Sequence, residues 1–491
     1  MALGVLAVIG APGWLAFVGL AFLIVVAAWT LPLTWVALVL AALIPWQFYF
    51  TLPDSTFTLR GAAIFALVAA ARVLVRRPAW QPWMSFAAIF ALAALVAATG
   101  ASNRYLALKG LYDWLPVFAS VFVVSHVADS PSVRAKLVVV LIIAGVAQAA
   151  LGLFQYLLGL DAVLALLRLP ISGLFYQPDL LAERLSDLSF NWVIFERAAP
   201  FGTFVNGIDY AVFIAAILSL VLGLLRARGT VIARSVLCDE AISNSQVGDC
   251  FAQNARNDKV KLIALAACAL VLSVALLLTF KGSGLLAVTG GALTVVLLAS
   301  GKSFGLRLSA QTIAMGLIVL VGGLILALPF SDLIGQRIDF LVQREQGLSG
   351  TIGRLGIWAG LLQFFAARPL FGYGLNNAVA IAEPTRTLSG GAFAFVSTTP
   401  ESAYVAALIE VGAVGFIALM GLFAATLARG YRRVREPFTV GILAALVAIF
   451  VGNLTVAGFT TDQNGMLLGI LIGMIWESAS TNSQRINEYV C

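Results

Sequence analysis

Long apolar runs broken by short polar segments occupy almost the whole of this chain. They lie near residues 12–29, 33–50, 61–76, 83–99, 113–127, 135–158, 207–225, 261–280, 284–300, 310–330, 401–427, 438–458 and 464–478. An α-helix needs about 20 mostly apolar residues to cross a hydrocarbon core of ~30 Å, and these runs approach or reach that length. Membrane-spanning strands would instead leave alternating segments of about 10 residues, and none is visible. The pattern predicts an all-α polytopic membrane protein, a single membrane domain over residues 1–491 with about 12–13 transmembrane helices. The count turns on the N-terminus. Residues 1–10 are apolar but too short to span, Gly10-Ala11-Pro12-Gly13 breaks the pattern, and the first residues lack the basic flank of a cleavable signal peptide.

Composition agrees: 61% of residues are hydrophobic and 11% charged, where soluble domains carry roughly 25% charge. The distribution of Lys and Arg among the short loops sets the orientation. Arg72, Arg76, Arg77, Arg134, Lys136, the basic residues of 226–261, Lys302, Arg307, Arg429, Arg432, Arg433, Arg435 and Arg485 fall on one face, which is therefore read as cytoplasmic. The loops 159–206 and 331–400 then lie outside. The net charge of +7 follows mostly from this bias and fits anionic lipid headgroups, not nucleic acid. Cys238 and Cys250 sit in the cytoplasmic loop, where disulfides are disfavoured. With one histidine, His126 at a helix end, a zinc site is not expected.

Two external loops and one internal loop interrupt the helices. The first, 159–206, holds short helical pieces punctuated by Pro170, Gly173 and Pro178. The internal loop 226–260, with CDEAISNSQVGDCFAQNARND at its centre, is polar and reads as a flexible insertion. The second external loop, 331–400, is long for a connection, and such loops are usually functional or disordered. Within it Leu355, Trp358, Leu361, Leu362 and Phe365 follow helical spacing, which predicts an amphipathic surface helix over 352–367. Pro369 stops it, and Gly372 and Gly374 turn the chain.

Charge is scarce here, so its concentration at the outer helix mouths draws attention. Arg337, Arg344, Arg354, Arg368 and Arg386 belong to the second loop, Arg197 ends the first, and Lys281 occupies the FKGSG turn on the same side. Guanidinium forks suit phosphate and diphosphate oxygens, and several cations around a diphosphate stabilise it as a leaving group. External arginines also snorkel or stay solvated. Glu401 begins a spanning helix, where it either complements the helix dipole or serves as a general base toward a sugar hydroxyl. Glu410 lies roughly 13 Å deeper at helical rise, suited to hydrogen bonding another helix or a loop backbone. Asn206, Asp209 and Asn453 read as packing contacts. No Gly-x-x-x-x-Gly-Lys segment is present.

Several of these stretches resemble one family. GRLGIWAGLLQFFAARPLFGYGLNN is similar to the Arg-x-x-x-Trp … Pro-Leu-Phe-Gly-x-Gly signature of the O-antigen ligase and polymerase superfamily, the WaaL and Wzy type. RAAPFGTFVNGIDYA resembles its Arg … Gly-Thr-Phe-x-Asn lead-in to a central helix. FKGSG stands where the family often has Ser-Arg. ESAYVAALIEVGAVG, with Tyr404, resembles its His-Asn-x-Tyr-Leu … Glu-x-Gly-x-x-Gly helix start. The resemblance covers roughly 60–480. It implies a GT-C-like, metal-independent glycosyltransferase of the bacterial inner membrane, without cofactor. The donor would be an undecaprenyl-diphosphate-linked glycan on the periplasmic face, with a flippase and a chain-length regulator as partners. Arg197 and Arg354 would fall at the family's diphosphate-holding arginines, and Arg337, Arg344 and Lys281 would assist. Glu401 stands where ligases carry histidine, with Ser402 in place of Asn. The departure favours a polymerase of exopolysaccharide or O-antigen over ligation to lipid A-core. A transporter is the reading from another class, and it would place charge at the bilayer midplane.

Overall fold

The computed structural model describes residues 13–46, 49–51, 58–76, 78–128, 130–167, 193–194, 197–198, 200–204, 207–239, 248–279, 281–299, 351–378, 380–381, 400–436, 438–456, 459 and 462–477. The helices among them are α1 (Gly13–Thr30), α2 (Leu33–Leu43), α3 (Gly61–Val75), α4 (Pro82–Thr99), α5 (Arg104–Val127), α6 (Pro131–Leu158), α7 (Leu160–Leu167), α8 (Gly207–Asp239), α9 (Gly248–Leu278), α10 (Gly282–Ala299), α11 (Thr351–Ala367), α12 (Ala403–Arg432), α13 (Thr439–Gly452) and α14 (Asp462–Ile475). Two short antiparallel pairs join them. β1 (Tyr49–Thr51) pairs with β2 (Thr58–Arg60), and β3 (Val193–Ile194) pairs with β4 (Arg197–Ala198). Six helices have stretches long and apolar enough to cross a membrane, namely α4, α5, α6, α8 over 207–227, α9 over 260–278, and α12. The protein is an all-α polytopic membrane protein.

Most expected spans that fall on described residues coincide with these helices, and two expectations differ. The run 33–50 stops as helix at Leu43, since Pro45 follows and the chain turns into β1. The stretch 226–260, expected as a flexible loop, is helical through Asp239 and again from Gly248. Its Arg, Ala, Leu, Gln and Lys residues are good helix formers, and they extend helices already nucleated in the apolar runs. The expected span 310–330 lies outside the described residues.

α8 is the central post. Its segment Phe213–Ile217 has no side chain more than 1% exposed, and Tyr210 and Leu220 are fully buried. Small residues set its crossings, as is usual where helices meet in lipid. A Cβ on Gly223 would come within 2.6 Å of the Gly441 nitrogen on α13. The outward faces of the bundle are apolar: Ile89 and Leu92 on α4, Val139 and Ile143 on α6, and Ile263 and Leu270 on α9 are all exposed, as a lipid-facing surface requires.

Contacts between distant helices define two ends. At one, Arg134 pairs with Glu436 and Glu477, Arg433 pairs with the same two carboxylates, and Arg429 donates to the Ile475 carbonyl at 3.0 Å. This basic end gathers residues that the charge bias had assigned to one face. At the other, the Thr203 hydroxyl donates to the Pro45 carbonyl, Asn377 meets Asn103, and the Ala403 N–H donates to the Asn453 carbonyl at 3.0 Å. Among the described residues, Glu401, Trp358 and Lys281 lie toward this loop end.

Candidate site at the broken helix

α12 is two helices in line. Gly412 has φ 64 and ψ −172 in its middle, a conformation essentially confined to glycine. Breaking a helix frees backbone groups, which buried in a membrane protein must find partners. Here they do so in the segment Pro369–Gly374. The Ala413 and Val414 N–H groups donate to the carbonyls of Pro369 (2.8 Å) and Leu370 (3.1 Å). The Tyr373 and Gly374 N–H groups donate to the carbonyls of Ile409 (3.1 Å) and Glu410 (2.8 Å). Gly372, with φ 70, lies so close to this helix that a Cβ would stand 2.7 Å from the Glu410 carbonyl carbon. The Pro-Leu-Phe-Gly-x-Gly and Glu-x-Gly stretches, about forty residues apart in sequence, are thus two halves of one joint.

The first half of α12, residues 403–411, is clasped from several sides. α11 packs on it through Trp358, Leu361 and Phe365, with Tyr373 and Ile409 completing the cluster. The outward positions of α11 include Ala359, Leu362 and Ala366 beside Gln363, so apolar surface continues past the face that meets the protein. Trp358 Nε1 donates to the Pro400 carbonyl at 2.9 Å, immediately before Glu401. Arg354 lies one turn earlier in the same helix, and its side chain lies outside the described residues. Glu401 is half-buried with φ 46, an uncommon backbone conformation for a residue other than glycine or asparagine. Ser402 is the N-cap, and the Tyr404 hydroxyl donates to the Phe450 carbonyl at 2.9 Å.

Glu410, half-buried, is aimed at the loop, where the sequence had offered either another helix or a loop backbone as its partner. Its carboxylate accepts the Ala378 N–H at 3.3 Å. Beside it Phe90, Trp114 and Phe459, with Ala403, Ala406 and Ala407, enclose a cavity of about 50 Å³, room for a water molecule or two. The Asn376 amide donates to Asp113 at 3.2 Å, and Asp113 pairs with Arg60 at 3.2 Å. Asn377 is fully buried. It accepts the Asn103 N–H at 2.9 Å and donates to the Asn103 carbonyl at 3.1 Å. Arg368 closes the clasp by donating to the Gly100 carbonyl and lying 4.6 Å over the Tyr373 ring.

A second polar cluster holds the lead-in to α8. Gln155 donates to the Gly202 carbonyl at 2.7 Å and accepts the Gly202 N–H at 2.8 Å, while Gln148 accepts the Thr203 N–H at 3.0 Å. Lys281 is buried at the start of α10, its Cε 3.5 Å from where a Cβ on Gly207 would sit. The FKGSG turn, expected on the same side as the end of the first loop, lies beside the start of α8. Arg197 has its backbone on β4 opposite Ile194, and its side chain lies outside the described residues. Arg337, Arg344 and Asn206 lie wholly outside them.

Sequence reasoning passed over Gln148, Gln155, Asp113, Asn376 and Asn377. A signal existed for the first two: they are the only amides in the apolar run 135–158, seven residues apart and so on one helix face.

Residues 267–420 match the family model Wzy_C, described as O-Antigen ligase. The match takes in the end of α9, α10, α11, the joint at Gly412 and the first half of α12, which supports the O-antigen ligase and polymerase superfamily. No curated protein matches the chain at significant similarity.

Proposed function

We propose that this chain, with an O-antigen ligase domain at residues 267–420, is a membrane glycosyltransferase that joins lipid-linked oligosaccharide repeats into exopolysaccharide or O-antigen. The observation that carries the reading is the clasp itself. The Trp358–Pro400 hydrogen bond ties the helix bearing Arg354 to the residue before Glu401, which sits in an unusual backbone conformation. Strained backbone held by its surroundings concentrates at functional sites.

In this reading the Glu401 carboxylate accepts the proton of an acceptor sugar hydroxyl as that oxygen attacks the anomeric carbon of the donor. The bond from that carbon to the undecaprenyl diphosphate breaks. Arg354, with Arg197, Arg337, Arg344 and Lys281, stabilises the negative charge that grows on the departing diphosphate. The fold is GT-C-like, and the reaction needs no metal and survives chelation. It runs at the loop end, which faces the periplasm while the basic end faces the cytoplasm. The family description, O-Antigen ligase, favours a second reading, transfer of finished glycan to lipid A-core. Transport is disfavoured because Glu410, its best intramembrane candidate, is committed to a loop N–H group.

Deleting the gene and examining its lipid-linked glycans tests the proposal. Single repeats on undecaprenyl diphosphate are expected for a polymerase, and full-length polymer left there would indicate ligation. Complementation with Arg354→Ala or Glu401→Gln is expected to restore the protein to the membrane without restoring polymer. Full activity of Glu401→Gln would refute its role as base.

A further inference from the structure

Glu410 sits half-buried in the middle of the joint, and the reaction proposed above gives it no part. Its backbone carbonyl receives the Gly374 N–H at 2.8 Å, and its carboxylate receives that of Ala378 at 3.3 Å. One residue of the half-helix 403–411 therefore holds the loop backbone at two points four residues apart, Gly374 and Ala378. The loop is fixed to the bundle independently, through Asn376 to Asp113 and through Asn377 to Asn103. At Gly412 the half-helix loses its helical ladder to the rest of α12. The direction of residues 403–411 is therefore set by what they grip rather than by helix continuity. Glu401 stands two residues before that half-helix.

We propose that Glu410 is a positioning residue, which locks the half-helix to the fixed loop 374–378 and so sets where the Glu401 carboxylate stands. The inference rests on the reading of Glu401 given above. It predicts loss of turnover without loss of binding, because the arginines that hold the donor are on other segments. Displacing a reacting group by ~1 Å is enough to cost about a hundredfold in rate.

The test compares full-length wild type, Glu410→Ala, Glu410→Gln, Glu401→Asp and the Glu410→Ala/Glu401→Asp pair. The probe is undecaprenyl-diphosphate-linked repeat extracted from the deletion strain. Glu410→Ala is expected to lower kcat by at least about tenfold with KM within about twofold. Glu410→Gln, whose amide oxygen still accepts an N–H, is expected to recover most of that loss. The two substitutions are expected to combine less than multiplicatively, since both misplace one carboxylate. An unchanged kcat in Glu410→Ala, a parallel rise in KM, or fully multiplicative effects would overturn the inference and leave the glycosyltransferase reading standing. A folded wild type that transfers nothing would overturn both.

Discussion

Replacing Gly412 by alanine probes the joint most directly. At φ 64 and ψ −172 any side chain is strained, and the new Cβ would overlap the Leu370 carbonyl and lie 2.5 Å from the Phe371 nitrogen. Both are backbone atoms, so no rotamer change relieves the clash. The helix must move away or the segment 369–374 must come out. Strain of this kind costs of order 1–3 kcal/mol. Expelling the segment forfeits up to four backbone hydrogen bonds, each worth about 1 kcal/mol net and more if its partners stay buried. The expected loss is thus about 3–6 kcal/mol. Thermal unfolding of the detergent-purified protein, read by tryptophan fluorescence, supplies the assay. Gly360→Ala supplies the control: a Cβ at Gly360, within α11, meets nothing within 4 Å, and alanine there is expected to gain roughly 0.5–1 kcal/mol from helix propensity. If Gly412→Ala unfolds at the temperature of Gly360→Ala, the docking of 369–374 into α12 is wrong.

Two further substitutions separate the ends of the molecule. Gln155→Leu keeps side-chain bulk but removes both hydrogen bonds to Gly202, each worth about 0.5–1.5 kcal/mol; faster proteolysis after residue 198 in detergent is the expected sign, and unchanged protection would refute it. Arg134→Ala removes one of the two guanidiniums paired with Glu477, 8% exposed, while Arg433 remains, which is expected to destabilise the protein by about 1.5–3 kcal/mol while sparing transfer per folded molecule at the far end.

The helices were legible because apolar runs near spanning length have few other uses, and α4, α6 and α13 fall almost where the runs do. Glycine and proline at 369–374 were legible as a turn. Their partner was not, because α12 reads as one uninterrupted apolar helix and Gly412 looks like any small residue within it. Only contact with a segment some forty residues away makes its conformation necessary. Glu410 was legible as an oddity, since a lone carboxylate in an apolar run demands a partner, but the identity of that partner depends on the fold. Gln148 and Gln155 were overlooked because uncharged amides raise no alarm in a reading keyed to charge.

The joint at Gly412 also bears on how such a protein can change length. Four hydrogen bonds match 369–370 to 413–414 and 373–374 to 409–410, so one amino acid inserted between these pairs in either stretch would put one pair out of register with the other. The same insertion between 382 and 399 alters none of those pairings. A chimera that borrows loop 331–400 from a related protein must therefore bring residues 401–414 with it, or two unmatched halves will meet at the break.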